Sequence, residues 1–178
     1  MAFLDTIGHD RARRFTALVG LGLIAAAAFL TAPAGAQENA VVRHPAEKFP
    51  IATAVEVPPG YTTLYLSGMG ADVADKNAKP MTLAAYGDTE TQVRSALGKI
   101  KAQLAALHAT PGDIVNMHVF MVADPKTGKM DFPGLMKAYK EMFGTTAQPD
   151  LPTRSAFQVA ALANPGWLVE IEVIAVRK

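Results

Sequence analysis

From residue 51 onward, apolar positions switch between a two-residue period and a period near 3.6, and each switch marks a change of element. Residues 51–57 (Ile-Ala-Thr-Ala-Val-Glu-Val) alternate as a strand. Pro58-Pro59-Gly60-Tyr61 reads as a turn, and residues 62–68 as a second strand, so the two predict a hairpin. A polar loop with Asp, Asn, Lys, Pro and Gly covers 69–87. Val93, Ala96, Leu97, Ile100, Leu104 and Leu107 then recur at helical spacing. Either Asp88 caps this helix directly or Thr89 and Gln92 form a capping box, and Pro111-Gly112 stops it. Residues 113–123 alternate again, with Val115, Met117, Val119 and Met121 on one face. A second helix is predicted over about 131–143, burying Phe132, Leu135, Met136, Tyr139, Met142 and Phe143. Two strand-like runs, 152–160 and 167–176, close the chain. The predicted order is β-β-α-β-α-β-β, an α+β layout with a single sheet covered on one face by two helices.

The N-terminus follows other rules. Arg11, Arg13 and Arg14 precede an uncharged run rich in Ala, Leu, Val and Gly over 15–30, and Ala34-Gly35-Ala36 makes a small-x-small site before Gln37. This predicts a secretory signal peptide over 1–36, cleaved after Ala36, and hence a periplasmic or secreted protein with no membrane association after cleavage. The other reading is an uncleaved anchor, because the uncharged run to Gln37 is just long enough to span. That run is thin in bulky residues and contains Pro33. The Arg13-Arg14 pair raises twin-arginine export, but the residues after it leave the route open. Residues 37–50 form a polar N-terminal extension expected to wind along the surface, and 51–178 the folded domain.

Charge and composition remove several function classes. Beyond residue 36, basic and acidic side chains are equal in number and no basic run occurs, which argues against nucleic acid as a main partner. The chain has no cysteine, so thiol catalysis and thiolate metal sites are out. His44, His108 and His118 lack ligand spacing, and no metal is predicted. Ser67 and Ser155 lack the strand-turn-helix setting of a nucleophile elbow. Gly68-Met69-Gly70 is not a phosphate loop. Ser67-Gly68 reads instead as a strand end approached closely by other groups, or as a plain edge turn.

The distinctive residue is Arg154, a charge within the apolar run Pro152-Thr153-Arg154-Ser155-Ala156-Phe157. A buried guanidinium needs a partner. Glu170 and Glu172, two apart on the following strand, share one face and could neutralise it internally. Alternatively, the Arg fork is held ready for a carboxylate from outside. A partly buried Glu could also accept a proton from a water. The residues alone leave both readings open.

Pro152-Thr153-Arg154-Ser155, Val169-Glu170-Ile171-Glu172 and Ile174-Ala175-Val176-Arg177 resemble the Rid (YjgF-like) superfamily. Leu66-Ser67-Gly68, Gly87-Asp88-Thr89-Glu90-Thr91-Gln92 and Gly112-Asp113-Ile114-Val115 match it in order and spacing. The resemblance implies a chorismate-mutase-like α+β protomer, a homotrimer with ligand clefts between subunits, and no cofactor. It implies hydrolysis of enamines and imines such as 2-aminoacrylate to 2-keto acids and ammonia. Arg154 would clamp the substrate carboxylate, Glu170 would position or activate water, and Ser67, Gly68 and Ala156 would line the ligand. The chain departs from the family where Ala156 replaces a usual cysteine. Phe49-Pro50-Ile51 stands where a Gly-Pro-Tyr is usual, and Met136 falls near an expected asparagine. These departures imply a more apolar pocket. A ribonuclease or translation-inhibitor role has been attached to relatives, and the neutral charge argues against it. The alternative to turnover is a small-carboxylate-binding or holdase-like homologue.

Overall fold

The structure is a computed structural model that describes residues 40–178. The expected signal peptide over 1–36 and the first residues of the expected extension lie outside the described residues. The strands are β1 (Val42–Pro45), β2 (Ala52–Glu56), β3 (Thr62–Gly70), β4 (Ile114–Met121), β5 (Thr153–Gln158) and β6 (Val169–Arg177). The helices are the one-turn α1 (Leu83–Tyr86), then α2 (Thr89–Ala106) and α3 (Phe132–Met142).

Alternation along β4 and β6 decides where the core sits. Met117, Val119 and Met121 from β4 join Val169, Ile171, Val173 and Ala175 from β6, all at most 2% exposed. They meet Val93, Ala96, Leu97, Ile100 and Leu104 of α2 and Leu135, Ala138 and Tyr139 of α3. Each large side chain so buried contributes about 1.5–3 kcal/mol. Both long helices therefore cover one face, as the periodicity requires. The intervening positions, Asn116, His118 and Phe120 on β4 and Glu170, Glu172 and Ile174 on β6, are half-buried and face the other way.

The four-stranded sheet runs β3-β6-β4-β5, antiparallel except for the parallel β4–β5 pair, which α3 connects. The expected hairpin between 51–57 and 62–68 does not form. Pro58 and Pro59 offer no N–H and hold the link open, so β3 leaves its predecessor and pairs with β6, from Thr62↔Arg177 to Gly70↔Glu170. β2 pairs instead with β1, making a separate two-stranded ribbon from part of the segment expected to wind freely.

Arg43 ties this ribbon down. Its Nη1 donates to the carbonyls of Ile114 and Leu151 at 2.9 Å each, and its Nη2 to Gly112 O at 2.6 Å. Asp150 lies 3.5 Å from its Nε. The Ala52 N–H adds a bond of 2.9 Å to Pro152 O, just before β5.

Of the two expected starts for α2, Asp88 supplies the cap, accepting from Thr91 N at 2.9 Å. Gln92 is fully buried and does another job. Its Nε2 donates to Gly87 O and Gly166 O, and its Oε1 accepts from Leu168 N, which ties α2 to the approach of β6. Beyond the other end of α2, His108 takes φ 54°, a left-handed conformation more often given to glycine. The Thr91 N–H holds the Asp88 carboxyl below the usual carboxylate range. Asp88→Ala is expected to cost about 1 kcal/mol, read as a lower Tm. Because the folded pKa is depressed, this contribution is full above the ordinary Asp range and is lost as pH falls through the folded value. Thermal unfolding across acidic pH should show the gap between wild type and variant closing.

Candidate functional site

Register sets the direction of Arg154. It lies opposite Met117, which lies opposite Val173, so all three point to the helix face. There the guanidinium carbon sits 4.3 Å from the Tyr139 ring centroid, 5.6 Å from Phe49 and 5.9 Å from Phe132. Phe49 and Phe132 are themselves stacked, centroids 6.0 Å apart. Nη2 donates to Met136 Sδ at 3.3 Å, while Nη1 is buried with no partner. The Tyr139 hydroxyl is likewise buried and unpartnered. Burial pushes the guanidinium pKa down and the Tyr139 phenol up to about 12. Arg nonetheless stays charged. The aromatic faces offset some of its desolvation, but an unmet buried donor still costs about 1–3 kcal/mol.

The internal ion pair with Glu170 or Glu172 is ruled out. β4 stands between β5 and β6, and both carboxylates project from the opposite face. Among the described residues no carboxylate pairs with Arg154.

Glu170 belongs to a second cluster. β3 does not end at Gly68 but continues to Gly70, and its register slips between Leu66↔Val173 and Met69↔Ile171. Ser67 and Gly68 thus oppose one residue, Glu172, as a β-bulge. The Glu170 carboxylate leans back onto this bulge, so a Cβ on Gly68 would overlap Glu170 Oε1. The next glycine, Gly70, lies flush against the Trp167 ring, whose Nε1 donates to Ala71 O at 3.0 Å and fixes the approach to β6. Glu172 Oε1 meets His118 Nδ1 at 2.8 Å across the β6–β4 pair. Gly68→Ala is expected to swing the Glu170 carboxylate off the bulge and change stability by less than about 1 kcal/mol, because the clash is with the end of a flexible side chain. A crystal structure and a thermal melt of the variant check the two halves of that expectation.

The expected site residues therefore fall into two groups. Arg154 and Ala156 share the helix face of β5, and Ala156 packs against the core. Ser67, Gly68 and Glu170 gather on the other face at β3 and β6. A single chain does not bring the groups together. Sequence reasoning also missed three features. The Arg43 clamp shows no pattern at all. Phe132, Met136 and Tyr139 were legible only as core positions at helical spacing, not as a cage. His118 sat at an alternating polar position, but its pairing with Glu172 needs the register.

A family model described as endoribonuclease L-PSP matches residues 53–177. TdcF of Escherichia coli K12, a candidate reactive intermediate deaminase, is 39% identical over 98 residues, covering 55% of this chain and 70% of TdcF. The chain belongs to the Rid superfamily. This Rid chain also resembles solved structures in the family's YjgF fold. The crystal structure of E. coli TdcF with bound serine is 32% identical, covering 76% of this chain and 94% of that one, with a TM-score of 0.52. YyfB of Yersinia pestis, described as a conserved Rid family protein, is 25% identical over 76% of this chain and 97% of its own, with a TM-score of 0.56. Two departures of this Rid chain from the family pattern lie at the same place. Met136 touches Arg154 through its sulfur, and Phe49 stands over the guanidinium.

Proposed function

We propose that this Rid protein is a cofactor-independent hydrolase that converts small carboxylate-bearing imines and enamines of the 2-aminoacrylate kind to 2-keto acids and ammonia. The observation that carries this reading is Arg154, a half-buried cation whose Nη1 is buried without a partner and which has no carboxylate of its own. Its planar fork fits a ligand carboxylate bidentately. The serine bound to TdcF supports an amino-acid-sized ligand here. With the carboxylate clamped, the imine carbon needs only a positioned water and a proton acceptor, and Glu170 serves as that acceptor. Ser67 and Gly68 line the ligand beside Glu170, and Ala156 does so beside Arg154.

Because one chain holds the two groups apart, the complete site lies between subunits of a homotrimer, with Arg154 from one subunit and Glu170 from its neighbour. Residues 1–36 would direct the protein out of the cytoplasm.

The test generates enamine in situ and measures keto-acid and ammonia release. Arg154→Ala is expected to lower kcat/KM at least about 30-fold, the scale for removing one side of a charged pair. Equal rates for wild type and variant would sink the reading. The apolar surroundings of Arg154 favour one alternative, a binding or holdase-like protein without turnover. It predicts Arg154-dependent carboxylate binding with no ammonia above background.

A further inference from the structure

The His118–Glu172 pair plays no part in the reading above. We propose that His118 is a second proton-transfer group of this site, aimed by Glu172, an inference that rests on the deaminase reading.

The geometry begins with the register. His118 and Glu172 are directly opposed on β4 and β6, and the 2.8 Å contact engages Nδ1. A carboxylate on one ring nitrogen fixes the orientation of an imidazole and leaves the other nitrogen, Nε2, to exchange protons. Phe120, edge-on with ring centroids 6.5 Å apart, limits the swing of the ring on one side. Glu170 lies two residues from Glu172 on the same face of β6. It is therefore a diagonal neighbour of His118, a separation of about 7–8 Å, with its carboxylate on the Gly68 side. A groove of about 210 Å³ reaches Glu172 on this face from the Tyr65, Ser67 and Asn116 side; His118 and Glu170 stand beyond its lining. The His118 side chain is 38% exposed, which gives a proton a way out to solvent. The ionisable groups on the same face as His118 are Glu170 and Glu172 from β6 and, two strands away, Tyr65 from β3. β5 presents only Ser155 and Phe157 here, and Arg154 is on the other face.

The chemistry has work for two groups. Water attacks the iminium carbon, an O–C bond forms, the C=N π pair moves to nitrogen, and Glu170 takes the water's proton. The resulting carbinolamine must gain a proton on nitrogen and lose one from oxygen. Glu170 returns its proton to nitrogen as the C–N bond breaks. His118 Nε2 takes the carbinol proton as the C=O bond forms, then passes it to solvent or to the departing ammonia. A single carboxylate would have to perform both transfers in turn.

His118→Ala is expected to lower kcat about 100-fold and to leave KM within about twofold of wild type. Added imidazole should restore at least about tenfold of the loss in His118→Ala and nothing in Glu170→Gln. His118→Asn keeps a donor for Glu172 and hence the local packing, and should lose kcat equally. Its melting curve guards against reading misfolding as chemistry. Wild-type kcat in His118→Asn, or a loss in His118→Ala that imidazole leaves untouched, overturns the proposal. In either case the deaminase reading stands if wild type turns over and Arg154→Ala does not. Absence of wild-type turnover overturns both.

Discussion

Assemblies co-expressed from Arg154→Ala chains and Glu170→Gln chains are expected to recover about a quarter of wild-type turnover, although each variant alone is near background. The reason is topological. Arg154 projects from the helix face at the β5 edge, and Glu170 from the opposite face two strands away. If each cleft draws Arg154 from one subunit and Glu170 from its neighbour around a ring, a random mixture pairs an intact Arg with an intact Glu in a quarter of clefts. If both came from one chain, every cleft would lack one of them and nothing would return. Steady-state ammonia release from the purified mixture, set against each parent, decides between these arrangements. Activity at the parental background sinks the shared cleft.

Arg154→Met should move stability and ligand binding in opposite directions. The guanidinium is enclosed by Phe49, Phe132, Tyr139 and Met136, with one nitrogen unmet. A thioether chain of similar length fills that space without a charge to desolvate. Replacing buried ion pairs by matched apolar volume is often neutral or gains about 1–4 kcal/mol. Arg154 is a half-buried cation with no carboxylate, so the Tm of the variant should rise. Affinity for a small keto acid such as pyruvate should fall at least about 30-fold. Pyruvate should correspondingly raise the Tm of wild type and not that of the variant. A variant that melts lower than wild type would mean that the cage stabilises the cation more than burial penalises it.

The legible parts of this fold are those written in local periodicity. The apolar stripe from Val93 to Leu104, the Phe132–Phe143 face of α3, the alternation of β6 and that of β4 from Met117 each appear in the structure where the pattern places them. A register shift between Ile114 and Asn116 puts Ile114, not the expected Val115, in the core. Partner choice between strands is not local. Strands consecutive in sequence are neighbours roughly two-thirds of the time, and the chain breaks that habit three times. β2 and β3 lie in different sheets, β6 inserts between β3 and β4, and β4 inserts between β5 and β6. The third exception separates Arg154 from Glu170 and Glu172, so the internal ion pair, reasonable from the residues alone, cannot form. The bulge at Ser67-Gly68 was likewise hidden, because a strand that gains one residue against its partner looks from within like a strand that stops.

The β1–β2 ribbon gives the cage around Arg154 a roof that is built separately from its walls. Phe49 sits in the short turn between the two strands, held over the guanidinium by a ribbon that Arg43 and the Ala52–Pro152 bond fasten to the sheet. The walls come from α3 and cannot change without disturbing the core. Residues 46–50 can change length or chemistry while both fastenings stay in place. On the proposed reading, a lineage, or a designer, could retune which small acids reach Arg154 by editing residues 46–50 while the fastenings of the ribbon stay in place.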